Sequence, residues 1–219
     1  MLTIDTIEEL QKYIDGDISW RKKELTAINF FVKDGTLKNI DLSVRLGIVM
    51  VYAHWEGFIK NSGNFYINYL KQLGLNYSEL KENFVALSLR GNFTNCGVTN
   101  KTTLHCSVVN ILLNEQDTLA DLPETGAVIT NSNLNFATFE EILFTLGLED
   151  PSWREDLELK RHLINYTLVD NRNKIAHGTG ETPTIDDFNT VYSEIVPLLD
   201  LIKEKILDAA QHEKFKRTN

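Results

Sequence analysis

Apolar residues recur at three- and four-residue intervals along most of this chain, with glycine and proline falling mainly between the periodic stretches. That period predicts helices over residues 5–33, 40–73, 78–89, 103–114, 138–146, 153–177 and 185–212. Asp15-Gly16-Asp17 predicts a break in the first, and Gly74 ends the second. Residues 91–135, rich in Asn, Thr and Gly, carry the weakest periodicity and a loop through Pro123 and Gly126. Ser152 is placed as an N-cap with Glu155 at capping-box spacing, and Gly178 closes that helix as the residue beyond its C-cap. Thr184, followed by Asp186 and Asp187, opens the last helix, in which Pro197 predicts a kink. The expected fold is all-α. It is a single-domain bundle of about four long helices, with a core from about 1–90 and 151–212 and an irregular insertion at 91–150.

At 219 residues the chain can bury a core without disulfides or a structural metal. No apolar run approaches the ~20 residues that span a bilayer, and the acidic amphipathic start is unlike a secretory signal. The expected location is cytoplasmic, with no membrane partner. Cys96 and Cys106, with His105 beside the second, lack the paired spacing of a zinc site. No metal or other cofactor is expected, and the thiols are read as buried. There is no phosphate-binding glycine loop, no dinucleotide fingerprint and no serine-nucleophile elbow.

The net charge of −9 argues against a protein that coats nucleic acid nonspecifically. The acidity is regional, however. Residues 115–158 carry eleven acids against Arg154 alone, and the rest of the chain sums to +1. A local basic site is therefore compatible with the composition. The acidic insertion suits a basic protein partner better than RNA.

On a helical wheel for 153–177, Leu157, Ile164, Leu168 and Ile175 form one apolar seam. Arg161, Asn165 and Arg172 stack on a neighbouring strip, and His162, Tyr166, Asn173 and His177 continue round from it. Asn173 and His177 are four apart, close enough for the amide to set the imidazole tautomer. A guanidinium can pair two oxygens of a phosphorane, and an imidazole can move the proton of a ribose 2′-OH or of the leaving oxygen. One histidine does not conveniently do both. A symmetric dimer supplies two Arg–His pairs to one cleft. The competing reading is that Arg172 and His177 only cap the carbonyls and dipole at a helix end.

Asn171-Arg172-Asn173-Lys174-Ile175-Ala176-His177-Gly178 resembles the R-x4-6-H signature of the HEPN superfamily, including a polar residue after the arginine. VMVYAHWEGFIK, residues 49–60, and ISWRKKEL, residues 18–25, are similar to the second and first helices of a stand-alone prokaryotic branch of that superfamily. The resemblance covers about 1–75 and 150–212. It implies a HEPN-like helical bundle and a metal-independent endoribonuclease acting as a homodimer, often a toxin or anti-phage effector controlled by an antitoxin or other protein. It places Arg172 and His177 as the catalytic pair and Asn173 as the supporting polar residue. A branch with a modified tyrosine two residues after the histidine does not apply, because Thr179 stands there. The alternative is a catalytically silent HEPN-type module that binds a partner protein or nucleotide.

On the 40–73 helix, Arg45, Tyr52, Glu56 and Lys60 share a strip, with His54 opposite. Glu56 and Lys60 are read either as an ion pair with each other or as supports of the Arg172 cleft. Arg161 and Tyr166 are further supporting candidates. His54 is expected to be a packed, hydrogen-bonded histidine and His212 a solvated tail residue. For the first helix, one reading has Trp20, Arg21 and Glu24 covering the cleft. The plainer one has Trp20 in the core and Arg21 on the surface.

Overall fold

The computed structural model describes residues 2–34 and 40–217, apart from the side chain of Ser152. It is all-α. Helices run α1 (Ile7–Lys33), α2 (Ile40–Gln72), α3 (Glu82–Ser88), α4 (Arg90–Gly97), α5 (Thr102–Asn114), α6 (Phe136–Thr145), α7 (Pro151–Glu158), α8 (Asn171–Ala176) and α9 (Ile185–Gln211). A π-helical segment, Leu163–Asp170, leads directly into α8. No described helix is long and apolar enough to cross a membrane.

The long helix α2 is the centre of the bundle. It packs against α1 on one side and α9 on another, and α8 and the π segment lie against it as well. Glycines set two of these approaches. A Cβ at Gly47 would stand 2.6 Å from the Phe188 ring of α9, and one at Gly57 would stand 2.6 Å from the Arg21 guanidinium of α1. The core centres on Trp55, Phe58 and Tyr66 of α2, with Leu25, Phe188 and Ile195 from the neighbouring helices. Leu122, Val128, Leu134, Phe136 and Phe139 belong to the same core, so the stretch between α5 and α7 is packed into the bundle as well.

Several boundaries differ from the sequence expectation. α1 runs unbroken through Gly16, because Asp17 is engaged within the bundle: it pairs with Arg21 one turn on and accepts from Asn61 of α2 at 2.9 Å. The helix expected to stop before Gly91 is followed at once by α4. α7 begins at Pro151, so Ser152 lies inside it; its side chain falls outside the described residues. The run expected as one α-helix over 153–177 is α7, a turn, the π segment and α8. Wider i→i+5 turns bring Val169 onto the buried face with Ile164 and Leu168. Thr184 and Asp187 form the expected capping box, and Pro197 stands inside α9.

The thiols are not buried: Cys96 is half-buried, Cys106 exposed, and both are free. Trp20 and Arg21 exchange the places of the plainer reading. Trp20 is 45% exposed and Arg21 only 5%, its guanidinium stacked on the Trp20 ring and held by Asp17.

Candidate active site around Arg172 and His177

The end of α8 is fixed by local backbone chemistry. Gly178 adopts φ +74°, which an L side chain resists, and lets the chain reverse. The Gly178 N–H then bonds the Ile175 carbonyl at 3.1 Å and the Thr179 N–H bonds that of Lys174 at 3.0 Å, closing two otherwise open helix carbonyls. His177 is the C-cap, with an exposed side chain. From α2, Arg45 Nη1 donates to the carbonyls of Thr179 (3.0 Å) and Glu181 (2.6 Å), tying the turn after His177 to the bundle. Lys174 pairs with Glu181 in the same turn, and that hydrogen bond holds the ammonium pKa above its ordinary value.

Arg172 lies against α2 and the loop before α6. Its guanidinium lies 3.7 Å from the Tyr52 ring centre. Nη2 donates to the Ser132 carbonyl at 2.6 Å and stands 3.9 Å from Glu56 Oε2. Nη1 donates to Asn173 Oδ1 at 2.8 Å. The Arg172 and Glu56 side chains are only 17% and 19% exposed, so the charges meet in a partly dehydrated setting. Stacking of this kind contributes about 0.5–2 kcal/mol. A guanidinium carries five N–H donors, so Ser132 and Asn173 leave most of that capacity for a ligand.

Two further groups hold this frame. The Tyr52 hydroxyl accepts the Leu134 N–H at 2.8 Å and donates to Glu56. Burial pushes the Tyr52 phenol pKa up; the Leu134 N–H opposes this, Glu56 adds to it and Arg172 opposes it. Asn131 and Ser132 both take positive φ, 53° and 54°, a conformation costing non-glycine residues about 1 kcal/mol. That twist accompanies the Ser132 carbonyl's contact with Arg172. Asn133 accepts from Asn173 Nδ2 at 3.2 Å.

The structure thus brings together Arg172, Asn173 and Glu56 and adds Tyr52, Ser132 and Asn133. Asn173 orients the arginine through its side chain and meets His177 only through the backbone, where its carbonyl accepts the His177 N–H at 2.9 Å. Lys60 is exposed, and Glu56 turns to Tyr52 and Arg172. Arg161 sits over the Phe136 ring at 4.2 Å and pairs with Glu140 and Glu158. Tyr166 is 58% exposed and packs on His162. Tyr52 had a signal in the sequence, one turn before Glu56 on the same strip. Ser132 had none, because it contributes a backbone carbonyl.

His54 and His212 make their contacts with other groups. His54 is packed in the bundle, 3% exposed, with Nε2 3.1 Å from Glu24 Oε2 but off the line of an N–H bond, and Nδ1 has no hydrogen-bond partner among the described residues. Burial lowers its pKa, Arg21 adds to that, and Glu24 and Asp17 oppose it. His212 is exposed at the end of α9 and pairs with Asp208 at 2.9 Å.

No curated protein and no solved structure matches the chain. A family model described as HEPN_MAE_28990-like HEPN matches residues 10–215. That match takes in all of the helices from α2 to α9 and nearly all of α1, so the chain belongs to the HEPN_MAE_28990-like HEPN family.

Proposed function

We propose that this protein is a metal-independent endoribonuclease, acting as a toxin or defence effector. Two subunits each supply an Arg172–His177 pair. The observation that carries the reading is an arginine in α8 oriented by Tyr52, Asn173 and Ser132, followed five residues on by an exposed histidine on a capped turn. Arg172 would hold two oxygens of the phosphorane formed when a ribose 2′-OH attacks the neighbouring phosphate. One His177 would accept the 2′-OH proton while the second protonates the departing 5′-oxygen. Glu56 balances the resting charge of Arg172, and Tyr52 fixes its plane. Arg161, Tyr166 and Lys60 stand as outer candidates for contacting the substrate rather than the reacting atoms.

A binding-only module is the competing reading. The contacts that Arg172 already makes within its own chain favour it. The two separate on incubation with total RNA in EDTA. Loss of cleavage in both Arg172→Ala and His177→Ala, with helicity unchanged, supports the nuclease. Equal cleavage by all three proteins, or none by the wild type, removes it.

A further inference from the structure

The segment before α6 and the outer face of α6 border a groove of about 440 Å³, within the ~300–1,000 Å³ of small-ligand sites. Ile129 and Asn131 line it from the segment, Thr138 and Glu141 from α6, and Arg90 from α4. Val128 and Thr130, which alternate with the first two, are buried. The segment therefore gives one row of side chains to the core and the other to the groove. Arg90 pins it in place, with Nη1 donating to the Gly126 carbonyl at 3.2 Å and Nη2 to that of Ala127 at 3.1 Å. A second recess, of about 140 Å³, shares Arg90 and Glu141 with the groove and reaches Phe144, whose ring is half-exposed.

The groove adjoins the Arg172 site through the backbone. Asn131 lines it, and the next residue, Ser132, gives the carbonyl that holds Arg172 at 2.6 Å. Consecutive Cα atoms are ~3.8 Å apart. The start of α6 is tied to the same helical run, since the Phe136 N–H bonds Asn165 Oδ1 of the π segment at 2.8 Å. A nucleotide whose phosphate lies on Arg172 thus has its base beside the groove. Thr138 and Glu141 are engaged through their backbones, by Asn135 Oδ1 and Thr145 Oγ1, and among the described residues their side chains are left for a ligand. Among the described lining residues Glu141 is the one acid and Arg90 the one base, so the acidity of residues 115–158 does not close the groove to RNA. A carboxylate accepts only, and it pairs with a base edge that donates. Guanine offers two adjacent N–H donors, whereas uracil offers one. Ile129, half-exposed, gives the base an apolar face.

We propose that this groove seats a guanine next to the scissile phosphate, with Glu141 accepting from its two N–H donors, and that the strand runs on to Phe144, where the following base stacks. The substrate is then single-stranded RNA with guanine beside the cut. The proposal rests on the nuclease reading, and the test keeps the two apart. Cut ends of total RNA are sequenced, and kcat/KM is measured on short RNAs with one guanine or with uracil alone. Wild type, Glu141→Gln and Phe144→Ala are compared, with helicity checked by circular dichroism. Binding is measured separately by fluorescence anisotropy on 2′-deoxy oligonucleotides of the same two sequences, which lack the attacking hydroxyl.

The expected result is guanine at one fixed position beside the wild-type cuts. Glu141→Gln is expected to lower kcat/KM for the guanine substrate about tenfold and to erase its advantage over uracil. Phe144→Ala is expected to weaken binding of both oligonucleotides about tenfold. Cuts with no base preference, or a guanine preference that survives Glu141→Gln, overturn the proposal and leave the nuclease standing. A wild type that cuts no RNA yet binds the guanine oligonucleotide more tightly, through Glu141, keeps the groove and removes the nuclease reading. No cleavage and equal binding of the two oligonucleotides remove both.

Discussion

Tyr52→Phe removes one oxygen and tests how Arg172 is held. The hydroxyl accepts the Leu134 N–H at 2.8 Å, with Tyr52 4% and Leu134 0% exposed. Without it that N–H is left buried and unpaired, a loss of about 1–3 kcal/mol. Glu56 also loses a donor, while the ring face under Arg172 remains. The expected unfolding midpoint falls by about 2–4 °C per kcal/mol at this chain length. Cleavage is expected to fall less than in Arg172→Ala, because the stacking surface is retained. The alkaline limb gives a second reading. Tyr52 has a raised pKa in the folded chain, through burial first. Above the ordinary tyrosine value of 10.0 the unfolded state holds fewer protons than the folded one. Stability is full below that pH and declines as pH rises through the folded value. Tyr52→Phe should decline less steeply across that window. A variant within about 0.5 kcal/mol of the wild type, the ordinary range of neutral surface changes, with the same alkaline slope, would refute the claim that this hydroxyl organises the site.

Other substitutions read other parts of the frame. Gly57→Ala places a Cβ against Arg21 and should cost about 1–3 kcal/mol in urea unfolding, because Arg21 is buried in its pair with Asp17; unchanged stability would mean that Arg21 moves freely. His54 has a depressed pKa, mainly from burial, so its contribution is present above the ordinary histidine value of 6.5 and is lost as pH falls from there through the folded value. His54→Gln should flatten that acid limb, with Arg21, Glu24 and Asp17 the charges facing it, and an unchanged limb would count against a neutral buried imidazole. Arg172→Lys keeps the charge but not the planar fork or the stacking on Tyr52, and cleavage should drop about 10²-fold or more; near wild-type turnover would show that a point charge suffices.

The bundle was legible because its seams are strictly periodic. Ile164 and Leu168 sit where the wheel places them, and Thr184 with Asp187 announces α9. Gly178 was legible as a cap because only its backbone suits φ +74° without strain. The break expected at Gly16 does not form, since the glycine signal ignores the pair Asp17 makes with Arg21 one turn on and its tertiary bond to Asn61. The π segment has no composition of its own, so a 100° wheel put Arg161 on one strip with Arg172, whereas Arg161 packs over Phe136. Trp20 and Arg21 exchanged places because a buried arginine needs a paired acid and a glycine opposite, and neither Asp17 nor Gly57 is visible as such in a linear pattern. The hold of Ser132 on Arg172 passes through a carbonyl, which every residue possesses.

The central claim is chemical, and the product ends test it most directly. RNA cut by this protein in EDTA should carry 2′,3′-cyclic phosphate on one fragment and 5′-hydroxyl on the other, seen by mass spectrometry, and both should vanish with Arg172→Ala or His177→Ala. Fragments ending in 3′-hydroxyl and 5′-phosphate, or cleavage that persists in both variants, would contradict it.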